Sequence, residues 1–400
     1  MEIKTGKGTI PLVVLLAIWS VSAISSLPGL AVSPVLGDLN RIFPKATDLE
    51  IQMLTSLPSL LIIPFVLLSG RLSVGPHRLR ILALGLLLFF LSGVACLFAR
   101  SMGMLIVISC LLGVGAGMVI PFSTGLVVDY FTGDFRVRQL GYSSAINNVT
   151  LVLATALTGY LADVDWHLPF LVYTLPGVSL LLVGALRRCR PVPEPARSIQ
   201  LQHRTIDRTK LVGLMGLYFF ITYAVLVVTF YMSFLIDDYR IESSFSGVVI
   251  SLFFLAIMLP GFFIGRIIAR LKQYVNFVSL LSIAVGLCCI GLFRDRALIV
   301  LGALLAGLGY GAMQPVIYDK AATIAPPRSA MLALSFVMAM NYLAVMACPF
   351  VVDFLRHLFH AQGDRFPFLL NALLTLILAA AAGLRRNRFT LGLDASYYKN

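Results

Sequence analysis

The amino-acid sequence predicts an all-α membrane protein, with twelve transmembrane helices in two six-helix pseudo-symmetric bundles. Three observations carry that prediction. Of 400 residues, 59% are hydrophobic and only 12% are charged, against about 45–50% apolar and about 25% charged in an ordinary soluble domain. The basic residues are confined to the gaps between long apolar runs. The chain also repeats its own landmarks at a spacing near 194 residues. A soluble fold of this length has too little interior for so much apolar surface, so a soluble enzyme, a disordered scaffold and a fibre are set aside.

A helix of about 20 mostly apolar residues crosses the hydrocarbon core. Twelve such runs occur, at 10–33, 51–69, 81–98, 103–128, 140–162, 168–186, 211–236, 246–265, 274–293, 297–318, 330–352 and 366–384. None contains Lys or Arg, and all 31 basic residues fall in loops or tails. That is the partition expected when a cation at mid-bilayer is costly. Placing both termini in the cytoplasm puts 23 Lys and Arg on the inner side and 8 on the outer side, a positive-inside bias. The net charge of +13 therefore reads as topology, and nucleic acid is not an expected partner. The first run is too long for a cleaved signal peptide, and no A-x-A-like site follows it. The loops are short, and Asn148-Val149-Thr150 lies inside a run rather than outside the membrane. Together these point to a multi-pass protein of a bacterial cytoplasmic (inner) membrane.

Cys96, Cys110, Cys288, Cys289 and Cys348 lie in apolar runs, and Cys189 stands alone in the central loop. Neither metal-ligand spacing nor a disulfide framework is visible. No cofactor and no metal are expected.

The repeat is the most informative feature. The pattern G-x-G-x-G-x3-P occurs as Gly113, Gly115, Gly117 and Pro121, and again as Gly307, Gly309, Gly311 and Pro315. At the same offset Asn147 falls on Asn341; Gly70-Arg71 matches Gly265-Arg266, and Arg187-Arg188 matches Arg385-Arg386, within a few residues of it. The expected organisation is a six-helix bundle at 1–186, a cytoplasmic linker at 187–210 and a second six-helix bundle at 211–400. The glycines four apart form small-xxx-small pairs, which let helices approach closely. A dinucleotide-binding reading of the same glycines fails, because no strand precedes them and they lie inside a span.

Two parallel repeats of six helices, related by an axis along the membrane normal, resemble the major facilitator superfamily. At the motif level the chain looks like its drug/proton antiporter-like twelve-helix branch. The family's loop motif, roughly G-x-L-[SA]-D-R-x-G-R-[RK], is represented by Gly70-Arg71-Leu72-Ser73-Val74-Gly75-Pro76-His77-Arg78, with Val74 in place of the aspartate. Its fourth-helix motif matches Gly113 and Gly115 but has Ser109 where the family carries arginine. Its fifth-helix G-P pair is absent; Gly141 and Gly159 stand there without a proline.

The resemblance implies a transporter whose halves rock about a site near the bilayer midplane. Gating is then expected of Gly70, Arg71, Arg78, Gly265, Arg266 and Arg270 in the loops after the second helix of each half. Asp129 and Asp319, which end the fourth helices, are the expected partners, in the pairs Arg78–Asp129 and Arg270–Asp319. The substrate site is expected at mid-depth along the first and fourth helices of each half. Trp19, Ser22 and Ser26 are the candidates on the first span, which Pro28 and Gly29 should bend. Tyr218, Thr222 and Tyr223 stand on the seventh, Tyr310 and Gln314 on the tenth, and Asn147 and Asn341 on the fifth and eleventh. Each polar group at that depth must line water or find a partner, and interhelical hydrogen bonding is the structural alternative.

No Asp, Glu, Lys or Arg occupies the middle third of any span. An anion would call for an arginine clamp and a cation for a buried carboxylate, so a neutral or amphipathic substrate fits better. The remaining proton-coupling candidates are Asp38 and Asp237, at the outer ends of the first and seventh spans. The expected function is efflux of small neutral or amphipathic compounds, proton-coupled in the resembling branch, with nutrient uptake as the alternative. The expected partners are the lipid bilayer, a small-molecule substrate and protons, and a monomer is expected. A membrane enzyme would need clustered acid–base or metal-ligand groups, and only Asp353, His357 and His360 approach a cluster. A receptor would bring a sizeable soluble domain, and ATP-driven transport a G-x-x-x-x-G-K-[ST] loop.

Overall fold

The computed structural model describes residues 2–6, 8–30, 43, 48–73, 77–162, 164–188, 206–241, 243–326, 329–360, 363–385 and 388–393. Among them, twelve helices of twelve residues or more carry the fold. They are α1 Leu12–Ala23, α2 Asp48–Leu72, α3 Arg78–Cys96, α4 Met102–Tyr130, α5 Gly133–Ala162, α6 Pro176–Arg188, α7 Arg208–Asp238, α8 Ser243–Leu271, α9 Val275–Leu292, α10 Arg296–Thr323, α11 Ala330–Leu358 and α12 Phe366–Leu384. Nine helical stretches among the described residues are long and apolar enough to cross a membrane, and one of these, Phe245–Leu292, contains both α8 and α9. Two shorter apolar helices, Leu12–Ala23 and Leu57–Leu72, complete the twelve. The chain forms two compact units. One comprises Met1–Gln139, Ile146–Ile206 and Ala321–Tyr342, the other Leu140–Ala145, Asp207–Lys320 and Leu343–Asn400.

Several helices outrun their apolar runs. α5 starts at Gly133, α8 continues to Leu271 and α11 to Leu358. An apolar run measures the hydrocarbon thickness, whereas a helix continues into water as long as its ends find partners. Three expectations are corrected by this. Gly265, Arg266 and Arg270 lie within α8, not in a loop after it; Arg71 lies in the last turn of α2; and Arg78 opens α3. Side-chain caps mark other starts, Asp295 accepting the Ala297 N–H at 3.0 Å before α10 among them. Ser101 accepts the Met104 N–H at 3.3 Å before α4. Asp207 accepts the Lys210 N–H at 3.2 Å and pairs with its Nζ at 3.1 Å before α7. These bonds hold the Asp207 carboxyl below the usual carboxylate range.

The first span is not one continuous helix. α1 ends at Ala23, a turn occupies Ile24–Ser26, and a four-residue helical piece resumes at Leu27–Leu30. The break thus falls just before Pro28 and Gly29, the residues expected to bend the span. A proline ring collides with the carbonyl four residues earlier, here Ile24, and removes the bond that carbonyl would accept. The N-terminus adds an element outside the all-α expectation: β1 (Glu2–Lys4) and β2 (Thr9–Pro11) form an antiparallel hairpin with Ile3 opposite Ile10. It docks on the residues after α4, where the Thr132 N–H donates to Thr5 O at 3.1 Å. On the connection before α6, Trp166 meets Phe43 edge-on at 5.2 Å and lies 3.6 Å from the His167 ring.

The repeated glycines do the same work in each half. A Cβ at Gly113 would lie 2.7 Å from Pro58 Cα, and one at Gly117 2.9 Å from Ile62 O, both on α2. The middle glycine faces the other way: a Cβ at Gly115 would lie 2.6 Å from Phe89 N on α3. In the second half Gly307 and Gly311 meet Phe253 and Ile257 on α8, and Gly309 meets Ser279 on α9. Positions four apart share a helix face and the intervening one does not, so one G-x-G-x-G run seats the fourth helix against two neighbours. At Gly311 the obstructing atom is a backbone carbonyl, which cannot turn aside. Gly311→Ala is therefore expected to cost about 1–3 kcal/mol by overpacking, read as a lower unfolding temperature in detergent. Gly184→Ala, with nothing within 4 Å, should leave the midpoint in place; equal midpoints for the two variants would refute the close contact.

Candidate functional site

In the first unit the polar candidates are joined across helices. Trp19 Nε1 donates to Gln139 Oε1 of α5 at 3.0 Å. Ser22 Oγ donates to Ser123 O of α4 at 2.9 Å and is buried, so it serves packing between α1 and α4. Asn147 of α5 spans the break in the first span. Its Oδ1 accepts from the Ser26 N–H and from Ser25 Oγ, each at 3.1 Å, and its Nδ2 donates to Ser26 Oγ at 2.6 Å. A backbone N–H released by a broken membrane helix must find a new acceptor, and here an asparagine side chain is that acceptor. Asn341, its counterpart in the repeat, is half-buried and makes no hydrogen bond among the described residues.

In the second unit a phenol and amide network joins α7, α10 and a short stretch of α5. Tyr218 Oη lies 2.6 Å from Tyr318 Oη and 3.3 Å from Tyr310 Oη. Thr222 Oγ1 lies 3.4 Å from Tyr310 Oη. Gln314 Nε2 donates to Tyr218 at 3.2 Å and to Tyr318 at 3.3 Å, while its Oε1 accepts from Ser144 Oγ at 2.7 Å. The rings of Tyr218 and Tyr310 stack at 6.5 Å. Tyr223, also expected at the site, takes no part in these bonds and stacks on Phe219. Tyr318 and Ser144 went unnoticed in the sequence. Tyr318 had a usable signal: Tyr310, Gln314 and Tyr318 recur every four residues and so share one helix face. Every group in the network is neutral and both donates and accepts hydrogen bonds, which suits uncharged polar atoms carried on an apolar body.

Of the two expected ion pairs, one forms. Arg78 Nη1 donates to Asp129 Oδ2 at 2.6 Å, with the side chains 30% and 16% exposed. The other does not. Arg270 is exposed and makes no ion pair among the described residues, while Asp319 is buried. The reason is the extension of α8, which carries Arg270 outward on its last turn instead of leaving it in a loop free to fold back. Arg266 is also exposed, over the Phe263 ring at 5.8 Å. Gly70 packs directly on Ser335 of α11 within the first unit, and a side chain there would collide with it. Gly141 and Gly261, within the second unit, are in similar contact, each against the other's carbonyl. Asp38 and the Asp237 side chain lie outside the described residues. Asp353 and His357 stand one turn apart at 3.8 Å, both largely exposed.

A family model described as Major Facilitator Superfamily matches residues 13–212 and 212–395. The quinolone resistance protein NorA of Staphylococcus aureus (strain MRSA252) is 28% identical over 131 residues, 33% of each chain. The multidrug transporter protein MdtP of Bacillus subtilis (strain 168) is 26% identical over 183 residues, 45% of this chain and 33% of that one. The matched segments thus span about one third of the length of these relatives. Among solved structures, the proton:xylose symporter XylE bound to 6-bromo-6-deoxy-D-glucose superposes with a TM-score of 0.73 at 12% identity, covering 94% of this chain and 96% of that one. The human organic anion transporter MFSD10 (TETRAN) gives 0.70 at 18% identity, covering 92% and 96%.

Two energetic outcomes follow from the geometry. A double-mutant cycle on Arg78→Ala and Asp129→Ala, read by unfolding in detergent, should return a coupling of about 0.5–3 kcal/mol; strict additivity would show the pair to be idle. Tyr318→Phe removes the 2.6 Å bond and should cost about 0.6–2 kcal/mol, with Tyr223→Phe costing less than Tyr318→Phe in the same measurement.

Proposed function

Because this chain belongs to the Major Facilitator Superfamily, we propose that this secondary transporter exports small neutral or amphipathic compounds by alternating access. The observation that carries the reading is the network of Tyr218, Tyr310, Tyr318, Thr222, Gln314 and Ser144, built without an ionised group. Such a surface offers hydrogen bonds and aromatic faces to an uncharged solute, and holds no counter-ion for a charged one. The direction of transport is supported by two relatives whose names are a quinolone resistance protein and a multidrug transporter. The bias of 23 basic residues on one side of the spans against 8 on the other supports a reading in which both termini face the cytoplasm of a bacterial cell.

In this reading Trp19, Asn147 and Asn341 in the first unit and Tyr223 in the second are further candidates for substrate contact, each within its own unit. Arg78 and Asp129 brace the inner ends of α3 and α4 in one state and part in the other, and Gly70 lets α2 approach α11 closely within the same unit. Asp38 and Asp237 are the acids proposed for proton coupling.

Reconstitution into liposomes with an imposed pH gradient tests the proposal, with Nile red as a neutral lipophilic probe. The expected result is gradient-dependent movement of dye out of the compartment facing the termini. Gln314→Leu should change the ranking of a panel of neutral dyes, and Asp129→Lys should abolish transport with the protein still folded. Accumulation of dye on the side facing the termini would mean uptake, and movement indifferent to the gradient would remove proton antiport.

A further inference from the structure

Lys320 was expected in a loop; it stands inside α10, only 2% exposed. A buried ammonium needs both hydrogen-bond acceptors and compensating charge. Its acceptors come from a distant stretch of the chain. Nζ donates to Phe389 O at 2.8 Å and to Gly392 O at 2.6 Å. The same ammonium lies 5.6 Å from the Phe389 ring centroid, and Lys210 at the start of α7 lies 5.3 Å from it. Asp319, the preceding residue, is buried as well.

The segment that supplies these carbonyls is itself folded. The Arg388 N–H donates to Arg385 O at 2.9 Å and the Gly392 N–H to Arg388 O at 2.8 Å. Leu393 is fully buried, and Thr390 packs on Gly213 of α7. The turn therefore holds the end of α10 against the start of α7 through two cations, one ring and two carbonyls. The end of α10 corresponds in the repeat to the end of α4, where Asp129 is held by Arg78.

We propose that the turn at 388–393 is a latch on the inner end of α10, and that Lys320 is the positioning residue that closes it. The inference rests on the transport reading above, because a latch has a role only if α10 moves. When α10 tilts away from α7, the ammonium must leave its two carbonyls, so docking of the turn and the position of α10 change together. The latch fills in the second half the place that Arg78–Asp129 holds in the first.

A reversible cross-link tests it. A Cβ built on Gly213 lies 3.7 Å from Thr390 Cβ, within the about 3.5–4.5 Å span of a disulfide. Gly213→Cys and Thr390→Cys are introduced together after the six native cysteines are replaced by alanine, and the protein is reconstituted with Nile red. The expected result is that oxidation stops gradient-driven movement and dithiothreitol restores it. Equal transport by the oxidised and reduced forms overturns the latch, since the turn is then a fixed brace.

The second arm needs no transport. Thr390→Cys alone, in the same cysteine-free chain in detergent, is labelled with a water-soluble maleimide. Lys320→Met should speed labelling about tenfold or more, through loss of the charge-assisted bonds, while Tyr318→Phe should not. Unchanged labelling in Lys320→Met overturns the proposal. Should the reduced double-cysteine chain move no dye, the export reading fails, and the latch stands or falls on the labelling result.

Discussion

A peptide group in hydrocarbon has no water to bond, so each must be satisfied within the chain; this constraint governs the structure more than any single contact. It makes the spans helical and drives the cations to their ends. It also explains why the break at Ile24–Ser26 is accompanied by Asn147, whose side chain takes up the released Ser26 N–H. Where the helix is whole, as in α7, no such acceptor is required, and Asn341 carries none of that duty.

The two halves share their packing and differ in their polar groups. Gly113, Gly115 and Gly117 meet the second and third helices of their half as Gly307, Gly309 and Gly311 meet theirs. Close backbone approach has one solution at each of these positions, so the repeat persists there. Polar side chains are under looser control, since a hydrogen bond across membrane helices contributes only about 0.6–2 kcal/mol and several arrangements serve. The first unit spends its polar groups on mending a broken helix and on one arginine–aspartate pair. The second gathers three phenols around an amide and buries a lysine against the chain's own backbone.

Much of this was legible in the sequence, for definite reasons. Charge partition revealed twelve spans because the cost of a buried cation is large. The fixed offset revealed the glycine seats because Cβ collisions tolerate no substitute. Arg78 and Asp129 were legible as a pair because the resembling family sets an arginine of that loop against an acid at the end of the fourth helix. What escaped reading lay where the hydrocarbon rule stops. Arg270 and Lys320 both belong to helices that continue past the apolar run, and a span-length rule assigns them to loops. Tyr318 was passed over because it sits at the margin of its run, although its four-residue spacing from Gln314 was available. The terminal hairpin has strands of three residues each, too short for any period to register. The bend in the first span was expected at Pro28 and Gly29, whereas the turn occupies Ile24–Ser26, because the carbonyl a proline disturbs is four residues earlier.

The surroundings of the tryptophans have a spectroscopic consequence. The chain carries only two, and they sit in unlike places. Trp166 lies against an imidazole at 3.6 Å, whereas Trp19 donates its N–H to Gln139 from α1. With Trp166 replaced by Phe, the one remaining indole stands on the first span and becomes an optical probe of whether α1 and α5 stay together.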